Sequence, residues 1–157
     1  MAVNYEKRFF HKQKERNDCW FASFLMVRDM VKQEVSDYQE QKESFIQDRN
    51  IISDEQVAKD LFITGADDVV LREILQKLVD RNYEIGWNAD IGLVNKGLST
   101  GKPVIMGVDY QSGGGHFVVV IGADTKTNRI VIVDPLGNGE PEERNMPGNC
   151  NIHYYKA

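Results

Sequence analysis

The spacing of apolar positions changes partway along this chain. Trp20, Phe21, Phe24, Leu25, Val27 and Val31 recur at the interval of a helix with a broad buried face, which predicts a first helix over 18–34. A more polar helix is expected over 36–48. Ser53-Asp54-Glu55-Gln56 has the form of a capping box and opens a short helix through Leu61. After Gly65, either Asp67 or Asp68 caps another, with Val69, Ile74, Leu75, Leu78 and Val79 on its inner face. A short strand at 83–87 follows, then a helix over 90–98 stopped by the turn residues up to Pro103. Beyond Pro103 the texture is β-branched: 104–110, 117–123, 130–133 and 152–155 read as strands separated by Gly, Asp and Asn turns. Helices first and strands afterwards indicate an α+β fold. Residues 1–17 are polar and mixed in charge, and read as an extended leading segment that docks Phe9 or Phe10.

The chemistry gathers around Cys19, where the first helix starts. With Asp18 as N-cap, Cys19 falls in the first turn, where free N–H groups and the helix dipole favour a thiolate, the nucleophilic form. Gln13, six positions upstream, offers an amide that can reach back toward the sulfur. His116 stands at the mouth of a strand and Asp134 at the end of the next. Together they supply a nucleophile, a base, an orienting acid and an oxyanion donor. Each has a plainer reading as well. Cys19 can be an inert buried thiol, Asp134-Pro135 ordinary turn chemistry, and Gly113 to Gly115 either a hairpin loop or room for a substrate backbone. His11 and His153 compete with His116, but neither has its glycine-rich approach. Trp20 reads as core packing, and Cys150 as structural.

The Gln13-to-Cys19 spacing, Cys19-Trp20 followed by Ala22, the strand beginning Gly115-His116-Phe117 and the strand ending Val133-Asp134-Pro135 resemble the papain-like cysteine peptidases. The nearest likeness is to small bacterial double-glycine leader peptidases and to secreted papain-like effector proteases. The resemblance implies a single domain over 1–157, with a helical half to about residue 100, an antiparallel sheet half from about 101, and the site in the cleft between them. It implies Cys19 as nucleophile, His116 as acid–base, Asp134 as orienter and Gln13 as oxyanion donor. It also implies cleavage after small residues such as Gly-Gly, and a toxin or effector restrained by an inhibitor. An amidase, glutamine deamidase or acyltransferase would use the same site. A catalytically idle binding module would not.

Asp134 raises a question of register. Residues 125–128 make a turn, so the flanking strands pair as a hairpin. If Asp124 faces Arg129 and the register continues, Asp134 falls opposite Val119, on the wrong face for His116. A one-residue shift through a bulge places it opposite Val118, on the face of His116. The shifted register is expected.

Composition narrows the rest. The 157 residues, 41% of them hydrophobic, suit one domain with a real core, and the net charge of −5 argues against nucleic-acid partners. Neither a membrane-length apolar run nor a signal peptide is seen, so a cytoplasmic protein is expected, or one delivered as part of a longer secreted chain. The two cysteines make no disulfide framework, and no metal or cofactor is called for. The expected partner is a protein or peptide substrate, without membrane attachment.

Overall fold

In the computed structural model, which describes residues 1–109 and 115–157 (the backbone alone at 109), the helix that opens with Cys19 runs through the centre of the molecule. This is α1 (Cys19–Lys32), buried at almost every position from Cys19 to Met30, so its apolar face is nearly its whole circumference. Trp20 and Phe21 pack with Phe45 and Phe62 at centroid separations of 4.9–5.9 Å, edge-on or tilted as the ring quadrupoles favour. Phe45 comes from α2 (Tyr38–Gln47) and Phe62 from α3 (Glu55–Thr64). The helical half therefore assembles on α1.

Aspartate side chains start the four other α-helices. Asp37 caps α2 through Glu40 N–H, Asp67 caps α4 (Asp68–Leu78) through Val70 N–H, and Asp90 caps α5 (Ile91–Leu98) through Leu93 N–H. In α3 the cap is Asp54, which accepts from Gln56 and Val57 N–H, so the capping-box reading was one residue early and the helix runs on to Thr64. Along α4, Leu71, Ile74 and Leu75 are buried while Val69 is exposed, which corrects the expected inner face by rotating it away from the first turn.

The strands form one six-stranded antiparallel sheet in the order β1-β6-β2-β3-β4-β5. They are β1 (Tyr83–Gly86), β2 (Val104–Asp109), β3 (Gly115–Asp124), β4 (Arg129–Val133), β5 (Glu142–Asn145) and β6 (Asn151–Tyr155). The fold is α+β and papain-like, with β1 carried from the helical half to one edge of the sheet. The expected strand position Tyr110, with Gly113 and Gly114, lies outside the described residues. β5 was not anticipated: every residue in it is exposed, so it has no alternating pattern to reveal it. Core residues lie on both faces of the sheet, one against α1 and the other against α5.

The leading segment is ordered along β3. β2 pairs with β3 only as far as Val120, and residues 1–3 take up the edge beyond it, with Val3 N–H on Ile121 O and Ala123 N–H on Met1 O. Phe9, in a 3₁₀ turn (Lys7–Phe9), is the ring that docks. Among the described residues no helix is long and apolar enough to cross a membrane.

The cap of α3 can be tested directly. Asp54→Ala should cost about 0.5–2 kcal/mol in urea denaturation and Ser53→Ala only a few tenths. The reverse ranking would restore Ser53 as the cap.

Candidate active site

Cys19 is the first residue of α1 and only 6% exposed, at the end of the helix where backbone N–H groups lack intrahelical acceptors. Asp18 stands at the cap position but does not cap. Its Oδ2 accepts from the Tyr38 hydroxyl at 2.9 Å, and no helix N–H reaches it. The Cys19 sulfur accepts from Phe117 N–H at 3.5 Å, which ties the helix start to the beginning of β3.

His116 is the second residue of β3, opposite Val108 of β2. The pairing of β3 with β4 begins in the unshifted register, Asp124 with Arg129, and slips by one residue between Gly122 and Val120. Beyond the slip Val119 faces Val133, so the next residue, Asp134, continues opposite Val118, as the shifted register required. Asp134 then reaches the ring: His116 Nε2 donates to Asp134 Oδ1 at 2.7 Å. Leu136 N–H donates to the same oxygen at 2.9 Å, and Arg144 approaches Oδ2 at 3.5 Å.

The His116 ring also hydrogen-bonds Cys19. With Nε2 committed to Asp134, the nitrogen turned to the thiol is Nδ1. Burial favours the neutral imidazole, but the bonds to Asp134 and Cys19 and their charges outweigh it and raise His116 from 6.5 to about 9. Burial would likewise push the Asp134 carboxyl up. The hydrogen bonds from His116 and Leu136, with the charges of His116 and Arg144, hold it below its ordinary value instead. The pair is therefore an imidazolium beside a carboxylate at neutral pH.

Gln13 is buried, 7% exposed, although its neighbours in sequence are charged. Its backbone N–H is bound to Pro135 O, next to Asp134, at 3.1 Å. Its side-chain nitrogen donates to the carbonyls of Glu15 at 3.0 Å and Arg16 at 3.1 Å. The amide is thus held by the loop that leads into α1, and it can turn a proton toward the sulfur only by releasing one of those carbonyls.

The other two histidines are also paired with carboxylates. His11 bonds Asp29 of α1 at 2.7 Å, and His153 bonds Asp68 of α4 at 2.9 Å. Cys150 is a free thiol buried beside Ala89 O, and burial pushes its pKa up. Arg144 escaped the sequence reading because it lies on β5, the strand with no buried face. Only the pairing of β5 with β4 brings it to Asp134.

A cleft of about 600 Å³ opens over Cys19 between the two halves. Trp20, Asp68 and Val70 line it from the helical side, and His116, Phe117 and Asn151 from the sheet. Among the described residues no group of three or more His, Cys, Asp or Glu is arranged to hold a metal. The model of the Peptidase_C39 like family matches residues 3–156. The chain belongs to that family. It is a papain-like cysteine peptidase, a hydrolase, that acts on protein or peptide substrates. Among solved structures this C39-like peptidase is similar to the peptidase domain of Streptococcus ComA, a bi-functional ABC transporter involved in a quorum-sensing pathway. The TM-score is 0.55, with 15% identity over 93% of this chain and 97% of that one. The likeness at that identity is one of fold. No curated protein matches the sequence.

The raised His116 value has a consequence for stability. A group raised on folding stabilises fully below its unfolded value, here 6.5, and loses that contribution as pH rises through about 9. The Tm of the wild type should therefore fall over that window. Asp134→Asn removes the charge that raises the imidazole, so its Tm should start lower and fall less. Parallel Tm curves for the two proteins would show that Asp134 does not hold the proton on His116.

Proposed function

We propose that Cys19, His116 and Asp134 carry out peptide-bond hydrolysis through a thioester. The observation that carries this reading is the His116 ring, which bonds the thiol on one side and a carboxylate on the other at the wall of the cleft. The Cys19 thiolate attacks the carbonyl carbon, and the carbonyl electrons move onto oxygen. The resulting oxyanion lies at the start of α1, where the Cys19 backbone N–H can donate to it, joined by the Gln13 amide once it yields a loop carbonyl. The tetrahedral species collapses, the C–N bond breaks, and the imidazolium gives its proton to the leaving amine. Water then attacks the thioester as His116 takes its proton. The acid product leaves and the thiolate–imidazolium pair is restored. Asp134 keeps Nδ1 aimed at the sulfur and stabilises the imidazolium throughout.

Cleavage after small residues, Gly-Gly among them, is supported by the resemblance to double-glycine leader peptidases. A role as a delivered toxin with its own inhibitor is supported by small size and the same resemblance. Expression of wild type in bacterial cells should then be harmful and that of Cys19→Ala harmless. Active enzyme that leaves growth unaffected would remove the toxin reading.

The reaction type is tested by mass spectrometry of a proteome exposed to wild type or to Cys19→Ala. New N-termini present only with the wild type are expected. Deamidated glutamines without new termini would make the enzyme a deamidase, and no change at all would make the chain a binder. Gln13→Ala should lower kcat by about 10²–10³-fold if its amide serves the oxyanion. It should also lower Tm, since two buried hydrogen bonds go with it. A loss of Tm with normal kcat would leave Gln13 as a brace of the loop.

Alkylation separates the two thiols. Cys19 lines the cleft beside an imidazolium, while Cys150 is buried among apolar groups. A small alkylating reagent at mildly acidic pH should label Cys19 well before Cys150, and His116→Ala should slow the first reaction without touching the second. Equal rates for both cysteines in the folded wild type would contradict the thiolate–imidazolium pair.

A further inference from the structure

Besides the cleft, a smaller pocket of about 220 Å³ opens on the α5 face of the sheet. Met106, Val118, Ile130 and Ile132, all buried, come from three neighbouring strands to line it, and Arg144 of β5 joins its wall. An apolar lining with few polar groups suits a hydrophobic occupant. Sites for drug-sized ligands run to roughly 300–1,000 Å³, and a dry cavity of about 150 Å³ already holds benzene. The pocket is thus sized for one large aliphatic or aromatic side chain.

Its position relates it to the reaction. Val108 lines both this pocket and the cleft over Cys19. It is the cross-strand partner of His116, so the two share a face, and Val118, two residues on from His116, shares it as well. On the other flank Arg144 approaches Asp134, the partner of His116, at 3.5 Å. The pocket is therefore continuous with the cleft along the face that carries His116. Direction follows from the chemistry. The imidazolium protonates the leaving amine, so the chain that this amine begins stands on the His116 side of Cys19. The acyl half stays with the oxyanion at the start of α1.

We propose that this pocket receives the side chain of one of the first two residues after the scissile bond, and selects a large apolar one: Leu, Ile, Met or Phe. The inference rests on the thioester reaction at Cys19 and His116. It adds a preference on the leaving side, separate from any preference for small residues before the cut. Successive side chains of an extended peptide point opposite ways, so one of the two positions enters the pocket and the other faces away.

A peptide library made from a digested proteome is exposed to wild type or to Cys19→Ala, and the new N-termini are sequenced by mass spectrometry. The first two residues after each cut are then read directly. Large apolar residues should be enriched at one of them, and synthetic peptides differing only there, Leu against Ala, should separate about tenfold or more in kcat/KM. Ile130 is the lining residue of β4 further from Asp134, and its variants read the pocket. Ile130→Ala enlarges it and should move the preference toward Phe and Trp. Ile130→Phe fills it and should bring the Leu-to-Ala ratio close to one. Folding of each variant is checked by Tm and by alkylation of Cys19 with a small reagent; if Ile130→Phe does not fold, Ile130→Ala carries the test. Folded variants with the wild-type preference, or a flat distribution at both positions, would overturn the proposal and leave the hydrolysis reading standing. A flat distribution together with concentration-dependent dimerisation in sedimentation would give the pocket to a second copy instead. If no new termini form at all, the hydrolysis reading falls and the assignment of the pocket falls with it.

Discussion

The site depends on a one-residue slip in the β3–β4 ladder. Side chains alternate along a strand, so an unbroken register would have turned Asp134 to the face opposite His116. The extra residue, Ile121, also swaps the parity of β3. Val118 and Val120 face the α5 side before the bulge and Ala123 faces it afterwards, while Val119 and Ile121 face α1. With the bulge in place, both faces of β3 stay buried from Val118 to Ala123. The same displacement that brings Asp134 to His116 is followed by the packing of both faces, which makes it hard to lose by slippage. Gly122 sits at the slip, where a Cβ would meet Val131 at 3.3 Å, and residues 1–3 pair with the edge just there.

How much of this was legible follows from where each signal resides. The helical periodicity of α1 and the β-branched runs gave the fold class, because both record burial directly. The order of Cys19, His116 and Asp134 gave the candidate site, and the turn at 125–128 was enough to pose the register question, though not to answer it: nothing in Val119-Val120-Ile121-Gly122 says which residue is extra. β5 was invisible because a strand with no buried residue has no period to read. The first turn of α4 misled because its valine at 69 is apolar yet exposed, and Leu71 is the buried one. Asp54 and Ser53 are both good caps, and backbone geometry chose between them. Gln13 sits among charged neighbours that suggest exposure, but its own two hydrogen bonds and the tie to Pro135 draw it inside.

Three histidines in this chain share one chemistry, each a ring nitrogen on a buried or half-buried aspartate. What separates them is the third partner. Asp29 spends its second oxygen on the Ser36 hydroxyl at 2.5 Å, so the His11 pair fastens the leading segment and the loop after α1 to that helix. Asp68 spends its second oxygen on Asn151, so the His153 pair joins α4 to β6 across the two halves. At His116 the ring itself has the further partner, the Cys19 thiol, and it stands where the halves part to form the cleft. A histidine–carboxylate pair lets two polar groups be buried together, with a desolvation cost that further hydrogen bonds must offset. It becomes a candidate for catalysis when the ring nitrogen left over faces a nucleophile that a substrate can reach, and of the three pairs His116 with Asp134 is the one so placed. The other two hold the elements around it, α1 on one side and the α4–β6 junction on the other, so the candidate site is framed by the same kind of bond that it contains.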